Sequence, residues 1–244
     1  MTELLELDSL VLSLETINMA KTVHHVDLKS HFGENQDHLE LSPNVHFSDL
    51  IFEAFSETKP SPSQSKVFEL ILNLSIDHGP DTPSAIPLIE KTKSGATISE
   101  AVAEGILHID DRHGGAMEPG MRFLYEIKNN NMSDDQIAEL VKEHLENKKI
   151  IGGFGHRLYK EEDPRAQLII KTLEHATIGA EFIEIAKKVE AEIEKQKGIK
   201  LPINIDGAIA IALCDFGWDP KLGKAVFLSA RVPGLCAHFL NNSN

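Results

Sequence analysis

Arginine is scarce in this chain. Its 244 residues include only Arg112, Arg122, Arg157, Arg165 and Arg231, and the first 111 positions hold none. An anionic ligand would therefore have to be held by a local cluster drawn from these five. Lys plus Arg total 24 against 38 Asp plus Glu, a formal net charge of −14. Long-range repulsion of that kind excludes broad contact with a nucleic-acid backbone. Cysteine is scarcer still. Cys214 and Cys236 cannot make a disulfide framework and form no CxxC pair, which fits a reducing, cytoplasmic compartment. Long apolar runs are lacking too. The most apolar stretch, Leu201 to Trp218, carries Asp206 and Asp215 and is interrupted by Pro202, so no membrane span is expected. The opening MTELLELDSL has neither the basic region nor the apolar core of a signal peptide. No GxxxxGK[ST] motif is present, and Gly152, Gly153 and Gly155 do not fit a GxGxxG fingerprint. His24, His25, His31 and His38 lie in a polar stretch without an acidic or Cys partner at ligand spacing. A solvated loop is expected there, and no metal site.

What is present reads as a folded helical protein. Apolar residues make up 41% and charged residues 25%, a globular balance. Ser65–Ile76 is apolar on nearly every side and predicts a buried helix. Thr97 with Glu100, and Ser133 with Gln136, are capping boxes ahead of helical periodicity. Asp163-Pro164 and Asp219-Pro220 each place an N-cap before a proline suited to the first helical position. Glu181 to Lys197 is amphipathic, with Phe182, Ile185, Val189 and Ile193 on one side. No repeated β-α alternation appears. The expected fold class is mostly α, with a short β segment over Leu4–Leu14 and a loop or hinge over Ser56–Ser65.

Four segments combine helix breakers with ionisable groups: DHGPDTPSA from Asp77, DRHGGA from Asp111, GGFGHR from Gly152 with Asp163-Pro164-Arg165 close behind, and NIDG from Asn204. Loops favour Gly, Pro and Asp in any case, so each alone says little. His78 alone reads as a capped histidine and His113 as a turn residue. Asp206 differs, because a carboxylate inside an apolar run is costly unless bonded or functional.

Together the segments resemble the citrate synthase superfamily, on its citryl-CoA lyase side. GFGHR-LYKEEDPRA is similar to the family loop bearing a catalytic histidine and, nine residues on, a carboxylate-binding arginine. NIDGAIA resembles the segment of the catalytic aspartate, and DRHGGA that of the second catalytic histidine. DHGPDTPSA resembles the stand-alone citryl-CoA lyases, and SARVPGLCAH the helix with a further arginine. Order and spacing match from about residue 65 onward.

The resemblance implies a two-lobed helical fold, with a large lobe of 1–113 plus 207–244 and a small CoA-binding lobe of 114–206. It implies His113, His156 and Asp206 as catalytic residues, and His78, Arg165 and Arg231 at the substrate carboxylates. Ile151, Gly152, Gly153, Phe154, Gly155 and Lys160 are the implied CoA contacts. The family draws one more arginine from a C-terminal arm. Neither Lys nor Arg follows Arg231 here, so Arg122 is the expected stand-in. The implied ligands are citryl-CoA, or acetyl-CoA and oxaloacetate, with CoA thioester as substrate and no tightly bound cofactor. A homodimer or larger homo-oligomer is the implied assembly. Three readings stay open at this point: cleavage of citryl-CoA, condensation as in a citrate synthase, or a non-catalytic or partner-dependent subunit.

Overall fold

The computed structural model describes residues 24–26, 29–32, 36–37, 42–110 and 113–243. The strand expected over Leu4–Leu14 lies outside the described residues. In the histidine stretch, where a loop is expected, the backbone pairs into a small antiparallel sheet. Its strands are β1 (His24–Val26), β2 (Lys29–Phe32) and β3 (Gln36–Asp37), in that order. Val26 opposes Lys29 and Phe32 opposes Gln36. No apolar alternation marks these residues, so periodicity does not announce the ribbon.

The chain divides into two compact units, Met1–Ser65 and Lys66–Asn244. The first contains the sheet and α1 (Phe47–Ser56), which buries Ser48, Phe52 and Glu53. Helix α2 spans Pro62–Ser75 and starts before the expected Ser65. The reason is a capping box: Ser61 N donates to Gln64 Oε1 at 2.9 Å, and Gln64 N to Ser61 Oγ at 3.3 Å. The last four residues of the expected loop, 62–65, are therefore helix.

The second unit continues with α3 (Ala85–Lys93) and α4 (Ile98–Leu107), then α5 (Met117–Asn129) and α6 (Asp134–Glu146). Next come α7 (Pro164–Ala176) and α8 (Ala180–Lys197), then α9 (Ile205–Asp215) and α10 (Leu222–Asn242). Both predicted boxes form, Thr97 with Glu100 at α4 and Ser133 with Gln136 at α6. Asp163 caps α7 with Pro164 behind it. Asp219-Pro220 behaves differently. Asp219 Oδ1 accepts from Lys221 N at 2.9 Å and its carbonyl from Leu222 N at 2.9 Å, so the pair makes a turn and the helix follows at Leu222.

Helix α9 is the centre of this unit. All of Ile205 and Gly207–Cys214 is buried, and α9 packs on α5, α7, α8 and α10. A helix apolar on all sides belongs inside a core. Two apolar clusters lie apart from one another in sequence. One joins Phe123, Ile127, Ile137, Val141, Ile151, Val189 and Ile193 across α5, α6 and α8. The other joins Leu88, Ala101 and Leu235 across α3, α4 and α10. Among the described residues, no helix is long and apolar enough to cross a membrane.

Candidate active site

A cavity of about 530 Å³ opens where the segments between helices converge. Seven residues singled out in the sequence line it: His78, His113, Gly155, His156, Arg165, Asp206 and Arg231. A larger groove of about 700 Å³ runs along α6 and α8. Its charges are solvated pairs such as Lys142–Glu139, so its size carries no chemistry.

Asp206 sits in the first turn of α9, placed by Asn204. Asn204 Oδ1 accepts from Gly207 N at 3.1 Å, and Asn204 Nδ2 donates to the Gly155 carbonyl at 2.7 Å. The cap thus ties the helix to the glycine loop. Gly155 N donates to the Pro202 carbonyl at 2.7 Å and Asn204 N to that of Gly153 at 3.0 Å. Gly153 has φ +92°, and a Cβ on Gly207 would collide with its carbonyl. Only glycine at both positions allows the backbones to meet. Desolvation pushes the half-buried Asp206 carboxyl up to about 6. Arg165 and Arg231 oppose this, and Asp163 reinforces it.

His113 follows α4 in the turn that leads to α5. Its Nε2 lies 2.9 Å from Ser84 Oγ, and its backbone N donates to Asp110 Oδ1 at 2.9 Å. The Phe227 ring meets it edge-on at 5.9 Å. Gly114 has φ +81°, and a Cβ there would enter that ring. Partial burial lowers the imidazole pKa, Arg231 lowers it further, and Asp110 works against both.

His156 is held by its own loop. Nδ1 accepts from Leu158 N at 3.1 Å and from Tyr159 N at 3.2 Å. Two amides at Nδ1 place the proton of the neutral ring on Nε2. Nε2 is also 3.2 Å from Arg165 Nη2. Two donors therefore converge on one point of the cavity, where an oxygen ligand would satisfy both. Desolvation lowers this imidazole pKa, Arg165 adds to the effect and Asp163 opposes it.

The two arginines are supported differently. Arg165 pairs bidentately with the buried Asp163, Nε to Oδ1 at 2.9 Å and Nη2 to Oδ2 at 2.7 Å. Arg231 is 1% exposed and has no carboxylate partner of that kind among the described residues. Its Nε donates to the Ser75 carbonyl at 3.0 Å and Nη2 to His78 Nδ1 at 3.1 Å, and its buried Nη1 has no partner among the described residues. The Phe227 ring lies 4.7 Å from the guanidinium carbon. Burial lowers the His78 pKa to about 4, helped by Arg165 and Arg231. His78 is thus neutral near pH 7, with Nδ1 as acceptor and Nε2 as donor.

Other expected residues fall elsewhere. Arg122 does not reach the cavity. It is half-exposed on α5, with Nη2 donating to Glu118 Oε1 at 2.6 Å. An i,i+4 partner on its own helix is its nearest opposite charge, and this holds it away from the site. Ile151, Gly152 and Gly153 are the buried part of the glycine loop, and Phe154 bridges to Ile203. Lys160 is exposed and donates to the His156 carbonyl at 3.1 Å. Asp111 and Arg112 lie outside the described residues. Sequence reading missed Ser84 as the His113 partner and Asp163 as the Arg165 partner. Both lie in segments it had marked, inside TPSA and directly before Pro164-Arg165. Among the described residues no His, Cys, Asp and Glu cluster could hold a metal.

Comparison with known proteins adds the following. A family model described as "Citrate synthase, C-terminal domain" matches residues 7–244. A citrate synthase of Synechocystis sp. is 32% identical over 215 residues, covering 84% of this chain and 52% of that protein. Citrate synthase 2 of Bacillus subtilis is 31% identical over 191 residues, covering 75% and 48%. The chain thus spans about half the length of these relatives. The structure of citryl-CoA lyase from Hydrogenobacter thermophilus superposes with a TM-score of 0.84 at 35% identity, covering 93% of this chain and 87% of that one.

Proposed function

The chain belongs to the citrate synthase family, and we propose from that footing that it cleaves citryl-CoA to acetyl-CoA and oxaloacetate. One observation carries the reading: Arg231 places a guanidinium in the cavity wall with Nη1 buried and without a partner among the described residues. A buried cation left without a partner is expensive, and a ligand carboxylate would relieve the cost. Arg165 stands ready on the same cavity. Two guanidinium groups suit the two free carboxylates of a citryl group. The likeness to a citryl-CoA lyase over nearly the whole of both chains supports cleavage over condensation.

The chemistry needs three things: charge stabilised at the hydroxyl oxygen, charge stabilised at the thioester oxygen, and a proton for carbon. As the tertiary hydroxyl gives its proton to solvent in the open cavity and the carbon–carbon bond breaks, the electron pair moves onto the thioester oxygen. His156 Nε2 and Arg165 Nη2 meet the oxygen that becomes the oxaloacetate carbonyl. His113, fixed through Nε2 by Ser84, presents Nδ1–H to the thioester oxygen and holds the enol. Asp206 then delivers a proton to the acetyl carbon. Solvent takes the hydroxyl proton and returns one to Asp206, so cleavage is proton-neutral overall.

The glycine loop Ile151–Gly155 and Lys160 would take CoA, bound as substrate and not as a resident cofactor. The two separate apolar clusters support a small lobe that moves against a large one about the α9 end, closing the site. A homodimer fits the exposed Ile86, Leu107 and Leu240 on α3, α4 and α10.

The same site run in reverse would condense acetyl-CoA with oxaloacetate, and the His113 position favours keeping that direction in view. Purified chain incubated with citryl-CoA, and separately with acetyl-CoA plus oxaloacetate, decides. We expect acetyl-CoA and oxaloacetate from the first, faster than citrate from the second. The opposite order would make it a synthase, and silence in both would leave a non-catalytic subunit.

A further inference from the structure

Asp163 is fully buried and takes four donors. Oδ1 accepts from Arg165 N at 3.0 Å and Arg165 Nε at 2.9 Å. Oδ2 accepts from Arg165 Nη2 at 2.7 Å and from Ile205 N at 3.1 Å. Capping α7 explains only the first of these, and Ser or Asn would cap as well. The remaining three bonds run to the cavity. Two fix the Arg165 fork, committing Nε and Nη2 so that a ligand carboxylate meets Nη1. Through Nη2 the fork also reaches His156 Nε2 at 3.2 Å. The last bond holds the first amide of α9, one residue before Asp206. Nothing local requires that contact, because Asp163 and Ile205 are distant in sequence.

We propose that Asp163 is a positioning residue that locks the carboxylate clamp and both proton-handling groups, Arg165, His156 and Asp206, into one geometry. The proposal rests on the lyase reading for what the site does, but its structural content is independent of direction. The charge matters as well as the shape. His156 faces Arg165, Asp163, Arg157 and Lys160, while Asp206 faces Arg165, Asp163 and Arg231. Asp163 is the only carboxylate in either set, so its removal leaves guanidinium and ammonium groups unopposed. Both groups then hold their protons less tightly.

The test uses Asp163→Asn and Asp163→Ser, which keep the helix cap and remove the charge, with Asp163→Glu as the charge-restoring control. Oxaloacetate and CoA affinities are measured by calorimetry, and the His156 imidazole is titrated by NMR. The expected result is an oxaloacetate affinity at least tenfold weaker and a CoA affinity within twofold. The His156 titration and the pH profile of citryl-CoA cleavage both move to lower pH, and Asp163→Glu returns the titration. Oxaloacetate affinity within twofold with an unmoved His156 titration overturns the proposal. So does failure of both charge-removing variants to fold, which would make Asp163 structural. Should wild type turn over neither substrate set, the lyase reading falls while the affinity and titration comparisons still decide Asp163.

Discussion

In the proposed cleavage Asp206 gives its proton to carbon, so the reaction should depend on pH in a defined sense. Its carboxyl is pushed up to about 6, and above that value the protonated fraction falls about tenfold per pH unit. On the acid side, protonating His156 at Nδ1 would set it against the Leu158 and Tyr159 amides. The lowered His156 pKa keeps that limb below its ordinary range. Cleavage kcat/KM should therefore be bell-shaped with a descending limb near pH 6. A flat profile from pH 5 to 8 would remove Asp206 as proton donor. Asp206→Asn should lower turnover by about 10²–10⁴-fold and leave CoA affinity intact.

Arg231 makes a second residue-scale prediction, through stability. Without ligand its buried charge is poorly compensated, so Arg231→Met should raise the unfolding free energy by about 1–4 kcal/mol while abolishing oxaloacetate binding. Thermal melts of the two proteins read this directly. A melting point below wild type would show that the Ser75 and His78 bonds outweigh the desolvation cost. Most residues of this site were legible because each sits at a helix-breaking Gly, Pro or Asn beside an ionisable group. Arg122 was misplaced because nearness in sequence to His113 says nothing about which side of α5 it occupies. Ser84 passed as an ordinary loop residue, since a partner 29 positions away leaves no local trace, and Asp163 as a cap, a role its Asp-Pro signature already explained.

At the scale of elements, three helices declared themselves through caps and two through their apolar patterning. Thr97, Ser133 and Asp163 set the starts of α4, α6 and α7 where their side-chain chemistry predicts. Ser61–Gln64 has the same form as the two predicted boxes, but the proline and serine around it read as loop. The Asp219-Pro220 turn shows the converse, a cap signature used two residues ahead of its helix. The contact of the glycine loop with α9 had no periodic signature at all, because it is backbone against backbone. It gives a sharp expectation: a methyl at Gly207 must displace the Gly153 carbonyl. Gly207→Ala should cost about 1–3 kcal/mol of stability and loosen CoA binding with it. Unchanged CoA affinity in a folded variant would separate the loop from CoA.

For the whole molecule, the mostly α reading and the family assignment stand on the order of the four segments, which the fold gathers on one cavity. The histidine ribbon did not show in the sequence, since its pairing is carried by main-chain bonds. The proposed homodimer draws on outward-facing apolar residues, and light scattering should then give twice the 27.0 kDa chain mass at micromolar concentration. A fully active monomer would contradict it. The central claim is that this site breaks the citryl carbon–carbon bond and returns a proton to carbon. Cleavage of citryl-CoA in heavy water, read by mass spectrometry of the acetyl-CoA formed, tests it most directly. The account predicts one deuterium in the acetyl methyl group, and loss of that product in Asp206→Asn. Intact citryl-CoA after incubation with folded wild-type chain, or acetyl-CoA free of deuterium, would contradict it.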